Sequence, residues 1–563
     1  MSMPLSFIIA FAILVIIPFL VSRFCSYRNR HNDPLLPNES VGHLAGLTRD
    51  KLENISLEAT KWTCGICDFH NPEERATCEL CDTPQATFLL EDPAFESMEG
   101  TIPPEQLNLK QWSARYRNQW QRRLEGQEWH WFAQMSPKQG TTYYITAVDS
   151  EAERLLLQPL SSLSAGTLVW GHPLPIWWFY QLQELQALPF SLKYAWLLAQ
   201  LAETYQSHAR LTVRREEIFE RSIEALNNAS ASLVCSLTMI TFQGESAVDA
   251  GGVTREWYTL LTYSIFDPKE GLFVANKADQ SFFINANSEH DHGPKHLEKY
   301  HAIGRLLGRA IVDEQVLPFQ FSTPLFKMIL GYPVSMDDIR YLDETVYTSL
   351  EYVRDTDDVD VLALTFSVSL DATTEVDLIP IGRNIEVTNA NKTEYVERMV
   401  HYLLFDSVAP QLQQLVHGLY EVLPQELLMI FDYKELELVL CGFSEIDVAD
   451  WKRCTNVSMS LESIVDWFWE IVENEMTSVQ REKLLQFVTG SSRVPLQGFK
   501  GLTSHDGQLC PFSLHGVPYE KGAFPKVHSC FNRIDLPIYP TRELLHEGLF
   551  MLVNIECMAF TMV

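Results

Sequence analysis

Two groups of residues carry ligating or reactive side chains at spacings that restrict their chemistry. The first is a set of thiols: Trp62-Thr63-Cys64-Gly65-Ile66-Cys67, then Asn71, then Cys78-Glu79-Leu80-Cys81. Two C-x-x-C pairs ten residues apart can each offer two thiolates to one ion, together closing a four-sulfur shell. Zinc suits such a shell because it takes four thiolates without redox chemistry. A segment this short has almost no core, so one structural Zn2+ on Cys64, Cys67, Cys78 and Cys81 would hold its fold. Two disulfides, or a redox pair, are the alternatives; a redox motif uses one pair rather than two. The second group surrounds Cys530, in Pro525-Lys526-Val527-His528-Ser529-Cys530-Phe531-Asn532-Arg533-Ile534-Asp535-Leu536-Pro537. A free thiol has a pKa of about 8.5, and its thiolate is the nucleophile. His528 and Arg533 could favour the anion if they point at it, and Asn532 could orient the loop or polarise a carbonyl. His528 can equally be a packing or loop residue. A lone H-x-C does not define a nucleophile, since many cysteines are simply small buried apolar groups.

The residues around Cys530 are more specific than the cysteine itself. The segment closely resembles the H-T-C-F-N-R-L-D-L-P stretch around the active-site cysteine of HECT-type ubiquitin ligases, with Ser529 in place of Thr. Four further blocks are similar to that family, in its order and at its spacing. They are Asp249-Ala250-Gly251-Gly252-Val253-Thr254-Arg255-Glu256-Trp257, Gly271-Leu272-Phe273, Glu435 to Gly442, and Leu485 to Pro495. The family often has Tyr where Ala250 stands. The resemblance covers roughly residues 205–563.

It implies a bilobal α+β HECT domain: a mainly helical large lobe over 205–441, a hinge at 442–445, and an α/β small lobe over 446–563 carrying Cys530. Ubiquitin would arrive on a conjugating enzyme, pass to Cys530 as a glycyl thioester, and leave to a lysine amine of a protein substrate. No metal or nucleotide is needed for that step. Phe560 occupies the place of a family phenylalanine that helps ubiquitin reach the substrate lysine, although the chain ends in Val563 where many members end in an acid. Ile339, Val346, Tyr395 and Met399 align with apolar positions that dock the conjugating enzyme; ordinary core packing is the other reading.

The thiol cluster, as W-x-C-x2-C-x3-N-x6-C-x2-C, resembles the zinc-ribbon fingers of a Ran-binding nuclear-pore protein and their ubiquitin-binding relatives. By that resemblance Phe69 and Leu80 would face an apolar patch of ubiquitin. Asp68 stands where those relatives have Thr. Binding of another protein, or of RNA, stays open; Lys61 and Arg75 are few basic residues for RNA.

These sites need elements to hold them. The chain has 563 residues, 46% hydrophobic and 21% charged, which is enough for several folded domains. A formal charge of −30 disfavours nucleic acid as a partner. Of 11 cysteines, four are clustered and seven scattered, which fits reduced thiols rather than a secreted disulfide framework. From Leu5 to Val21 the residues are apolar apart from Ser6 and Pro18, and Arg23, Arg28, Arg30 and His31 follow. The run predicts a transmembrane helix within 1–22, with the catalytic part on the cytosolic side. A cleaved signal is the alternative, but it carries its basic residues before the apolar core.

The expected fold class is therefore multidomain: the transmembrane anchor (1–22), a linker (23–59), a small zinc-ribbon finger (60–86), a second linker (87–110), a Trp-rich region (111–204), then the two lobes. Eight of the 13 tryptophans lie in the Trp-rich region. Core packing explains them more simply than a recognition surface does, and no fold is assigned there. The expected function is a ubiquitin ligase acting at a membrane surface on membrane-associated substrates. A non-enzymatic membrane adaptor, and a cysteine protease using Cys530 with His528, are the competing readings.

Overall fold

The computed structural model describes residues 61–554, apart from 74, 91–99, 126–127, 135–139, 148–153, 161–168, 170–181, 205–207, 231–235, 245–251, 370–374, 444 and 504–508. Among the described residues no helix is long and apolar enough to cross a membrane. The longest of them, His296–Val312, has 17 residues and includes Glu298, Lys299, Arg305 and Arg309, whereas a span needs about 20 mostly apolar ones. The expected N-terminal transmembrane helix, and with it the single-pass membrane location, is corrected accordingly. The proposed span, 1–22, and the linker after it lie outside the described residues.

The thiol segment forms a two-stranded antiparallel sheet, β1 (Lys61–Thr63) and β2 (His70–Pro72), followed by helix α1 (Leu109–Arg115). Asn108 caps α1, accepting from the Gln111 amide while the Gln111 side chain bonds back to the Asn108 amide. The Trp-rich region supplies two hairpins, β3 (Trp120–Glu125) with β4 (Glu128–Ala133), and β5 (Tyr143–Ala147) with β6 (Leu155–Pro159). Helix α2 (Phe190–Thr204) follows. Trp131 packs 5.2 Å from Tyr332, and Trp196 is buried. Tyr143, Ile145, Leu155, Leu157, Trp196 and Leu201 all join the core of the large lobe. The region thus continues that lobe's packing.

The large lobe begins with a parallel pair, β7 (His208–Val213) and β8 (Leu237–Phe242). Its helices include α3 (Gly252–Ile265), α4 (His296–Val312), α5 (Glu344–Asp355), α6 (Lys392–His401), α7 (Ala409–Val422) and α8 (Tyr433–Cys441). In α4 the buried residues Tyr300, Ile303, Leu307, Ala310 and Ile311 recur at helical spacing. Helices α4 and α7 touch through their backbones. A Cβ on Gly304 would lie 2.1 Å from the Leu415 carbonyl oxygen, and one on Gly418 2.1 Å from that of His301. Only glycine permits so close a crossing. Helix α8 is capped by Asp432, whose Oδ1 accepts from the Lys434 and Glu435 amides. The Lys193–Glu435 ion pair at 2.8 Å fastens α2 to α8 inside the protein.

The small lobe has its own core. Helix α9 (Val448–Arg453) puts Trp451 flat on Phe499, ring centroids 5.0 Å apart. The sheet runs β9 (Asn456–Val457), β10 (Ser513–Val517), β12 (Arg533–Pro537), β11 (Lys526–His528) in spatial order. Its first three strands are parallel, and β11 is antiparallel to β12. Helices α10 (Ser478–Thr489) and α11 (Arg542–Asn554) complete the lobe. Leu514, Ile534 and Leu536 point from the sheet into this core, so the alternation of β12 fixes which of its residues face outward.

Candidate functional site

Cys530 sits at the tip of the β11–β12 hairpin. His528 pairs with Arg533 in register, and residues 529–531 form a single 3-10 turn between the strands. The Cys530 side chain is not among those described. Phe531, beside it, is 60% exposed, so the tip of the turn faces solvent. Asn532 closes the turn in the left-handed conformation, φ 47° and ψ 44°. Asn adopts this region more readily than most non-glycine residues. Its side chain is buried, and Nδ2 donates to the carbonyl oxygens of Cys510 at 2.8 Å and Thr503 at 3.2 Å. Both amide protons therefore hold neighbouring loops, an arrangement that orients the turn.

His528 turns toward β12: its Nε2 lies 2.9 Å from Asp535 Oδ2. Asp535 also meets Arg533 at 3.0 Å and His515 at 3.5 Å. One carboxylate thus gathers three basic side chains behind the turn. The large lobe reaches the same place. Arg255 on α3 donates to the Thr503 carbonyl at 3.0 Å and to the Ser529 carbonyl at 3.1 Å. Thr259, one turn along, donates to the Gly490 carbonyl at 3.2 Å. Neither Arg255 nor Asp535 was singled out by sequence reasoning, although both lie inside the blocks that carry the family resemblance. The contacts of Arg255 join segments far apart in the chain. Two other cysteines are poor nucleophiles here, since burial pushes the Cys441 and Cys454 thiols above the ordinary range.

The four-thiol segment fits a metal ion. The Sγ atoms of Cys64 and Cys81 are 3.6 Å apart, as are those of Cys67 and Cys78, and all four side chains are buried. A tetrahedral zinc–sulfur shell with bonds near 2.3 Å spaces its sulfurs by about 3.8 Å. The two knuckles repeat one another. The Ile66 amide approaches Cys64 Sγ at 3.5 Å and the Leu80 amide approaches Cys78 Sγ at 3.4 Å. Asp68 and Asp82 then each adopt φ 57°. Asn71 ties the knuckles together, donating to the Phe69 carbonyl and accepting from the Glu79 amide at 2.8 Å.

Phe69 and Leu80, the side chains expected to face ubiquitin, are 5% and 1% exposed. They share a small core with Ala114, with Leu438 of α8 and with Phe443 at the hinge. Arg115 donates to the Ile66 carbonyl at 3.1 Å, and Arg117 pairs with Asp432 at 3.1 Å. Arg75 crosses the hinge: its guanidinium lies 5.1 Å from the Phe443 ring centroid and 3.7 Å from Asp447 of the small lobe.

Of the expected docking positions, Ile339 and Tyr395 are buried, at 1% and 6% exposure. Val346 on α5 and Met399 on α6 are half-buried against the large-lobe core. Tyr352, Val361, Ile381 and Ile385, on the same stretch of chain, are exposed apolar side chains that sequence reasoning passed over. Phe560 lies outside the described residues.

Two lobes, a linking hinge and a cysteine at the tip of a small-lobe hairpin define a class. A HECT-domain (ubiquitin-transferase) model matches residues 259–563, more than half of the chain, and the chain belongs to this family. It is similar to the E3 ubiquitin-protein ligase TOM1 of Saccharomyces cerevisiae, 39% identical over 378 residues that make up 66% of this chain and 11% of that one. It is similar to E3 ubiquitin-protein ligase Smurf1 of Drosophila melanogaster, 39% identical over 64% of this chain and 34% of that one. With E3 ubiquitin-protein ligase ptr1 of Schizosaccharomyces pombe the identity is 40% over 61% of this chain and 11% of the relative. The chain therefore spans only a minor part of the length of the relatives it matches.

Proposed function

We propose that this protein is a HECT-type ubiquitin-protein ligase in which Cys530 carries ubiquitin. The observation behind the proposal is the HECT match over 259–563, which contains Cys530 in the turn of the β11–β12 hairpin. The Cys530 thiolate attacks the thioester carbonyl of a ubiquitin-charged conjugating enzyme, and the enzyme's own thiolate leaves. A substrate lysine amine then attacks the new thioester. The isopeptide bond forms, Cys530 leaves as thiolate, and the amine proton passes to a base. One thioester replaces another in the first step, so that step is nearly balanced in free energy.

The surroundings support distinct tasks. Asn532 and Arg255 fix the turn, and the Asp535 carboxylate holds His528 and Arg533 beside it. Val346 and Met399, with the exposed Tyr352, Val361, Ile381 and Ile385, supply apolar surface for the conjugating enzyme. Phe560 guides ubiquitin toward the lysine. Cys64, Cys67, Cys78 and Cys81 hold a structural zinc ion. Phe69 and Leu80 are engaged by the large lobe, so ubiquitin reaches them only if the finger lifts away.

The test is reconstitution. The full chain is incubated with activating enzyme, a panel of conjugating enzymes, ubiquitin and ATP, and isopeptide-linked products are followed on reducing gels. Products are expected with the native chain and absent with Cys530→Ala. Equal product from both would overturn the proposal.

A further inference from the structure

Away from the hairpin and the finger, two imidazoles and a carboxylate converge where α4 crosses α7. His301 Nε2 lies 3.2 Å from Glu421 Oε2, and His417 Nε2 lies 3.0 Å from Glu421 Oε1. The two imidazole rings are 5.2 Å apart. All three side chains are partly exposed, and their ligand atoms lie within 4.8 Å of one another. The helix packing produces this meeting. Gly304 and Gly418 bring the two backbones into contact; His301 is three residues before the first, and His417 immediately precedes the second. His417 and Glu421 are one turn apart on α7 and share a face.

The hydrogen bonds around His301 leave its Nε2 in an unusual position. Asn227 Nδ2 donates to the Glu298 carbonyl at 2.9 Å, which turns Asn227 Oδ1 toward His301 Nδ1 at 3.1 Å. An amide oxygen only accepts, so Nδ1 carries the hydrogen. In a neutral ring the Nε2 lone pair then points at a carboxylate oxygen. Two acceptors at that distance need a cation between them: either the second proton of an imidazolium or a metal ion. An ordered partner on the far nitrogen is also the usual way a metal-binding imidazole is aimed.

The geometry points to a metal. We propose that His301 Nε2, His417 Nε2 and a Glu421 oxygen form a site for a divalent transition-metal ion of the zinc class. Ligand atoms around a tetrahedral ion with bonds of 2.0–2.1 Å stand about 3.3 Å apart; here His417 Nε2 is 3.0 Å from Oε1 and His301 Nε2 is 3.2 Å from Oε2 of the same carboxylate. Two imidazoles and one carboxylate suit zinc, nickel or copper rather than magnesium or calcium. Arg305 lies 2.7 Å from Glu421 Oε2, and this neighbouring charge moderates the affinity of the site. Three protein ligands leave one position for water. The ion would bridge α4 and α7, in a site separate from the four thiols.

Metal counting tests this. The full chain, and the variants His417→Ala, His301→Gln and Cys64→Ser, are dialysed against micromolar zinc and then zinc-free buffer, and bound zinc is measured by atomic emission. The native chain is expected to hold one equivalent more than either histidine variant. The histidine variants should keep their thiolate-to-metal absorption band after cobalt exchange, which shows the four-thiol shell intact. If that shell holds no ion, the count falls from one to zero instead of two to one, and the difference still stands. Equal zinc in the native chain and both histidine variants, whose folds are checked by thermal melting, would overturn the proposal and leave a protonated ion pair only.

Discussion

Arg255 of the large lobe donates to the carbonyl oxygen of Ser529, the residue before Cys530, across 3.1 Å. The same guanidinium holds the Thr503 carbonyl, and Asn532 Nδ2 donates to that oxygen from the other side of the turn. The reactive turn is thus fastened both by its own lobe and by the neighbouring one. This arrangement makes the relative placement of the lobes part of the geometry at Cys530.

Removing Arg255 is expected to loosen that placement. A hydrogen bond from a charged donor contributes about 1.5–3 kcal/mol, and about 1.4 kcal/mol is a factor of ten in rate. Arg255→Ala should slow single-turnover discharge of Cys530-linked ubiquitin onto free lysine by about tenfold or more. Arg255→Lys should recover little, because one ammonium lacks the fork that meets two carbonyls. Discharge followed on non-reducing gels reads this directly, and an unchanged rate in Arg255→Ala would count against the role.

Asn532 carries two loads, the left-handed backbone and the bonds to Cys510 and Thr503. Asn532→Ala loses both and should destabilise the turn by about 1–3 kcal/mol. Asn532→Gly keeps the backbone freedom and loses only the bonds, so it should fall between the native chain and the alanine variant. Thermal melting and the rate of thioester formation should give the same order.

If the four thiols hold the proposed ion, removing it should unfold the segment around them and uncover Leu438 and Phe443. A lowered Tm and increased binding of a hydrophobic dye are expected after chelation, or in Cys64→Ser. Cys530 should still charge, because no thiol of the cluster lies in the reactive hairpin. Loss of charging on chelation would show that the finger is needed for the lobe arrangement.

Glu314 gives a pH dependence with a defined sign. Burial, aided by the neighbouring charge of Asp313, pushes its carboxyl up to about 8 from an ordinary 4.5. The folded chain therefore keeps a proton there that the unfolded chain releases. Stability from this group is full below pH 4.5 and declines as pH rises through about 8. Glu314→Gln should flatten that decline, and urea unfolding at pH 5.5 and pH 8.5 would measure it. A variant with the native slope would contradict the assignment.

Features set by local sequence were legible without the structure. The paired C-x-x-C knuckles are built from neighbouring residues, so their spacing alone predicts the four-thiol cluster. The Cys530 segment reads as one unit because β11, the turn and β12 are contiguous. Features made by distant segments were not legible. Phe69 and Leu80 carry the pattern of a recognition surface, yet they are covered by Leu438 and Phe443, far along the chain. The Trp-rich region was assigned no fold because its hairpins complete a core that other elements begin. The apolar N-terminal run predicts a membrane span by composition, whereas the described helices are shorter and carry charges among their apolar residues.

The account rests on a thioester at one sulfur. A conjugating enzyme preloaded with labelled ubiquitin is mixed with the full chain for a single round and resolved without reductant. The account predicts a labelled adduct that a thiol reductant releases and that Cys530→Ala abolishes, while Cys510→Ala retains it. An adduct that survives in Cys530→Ala, or none with any conjugating enzyme, would contradict it.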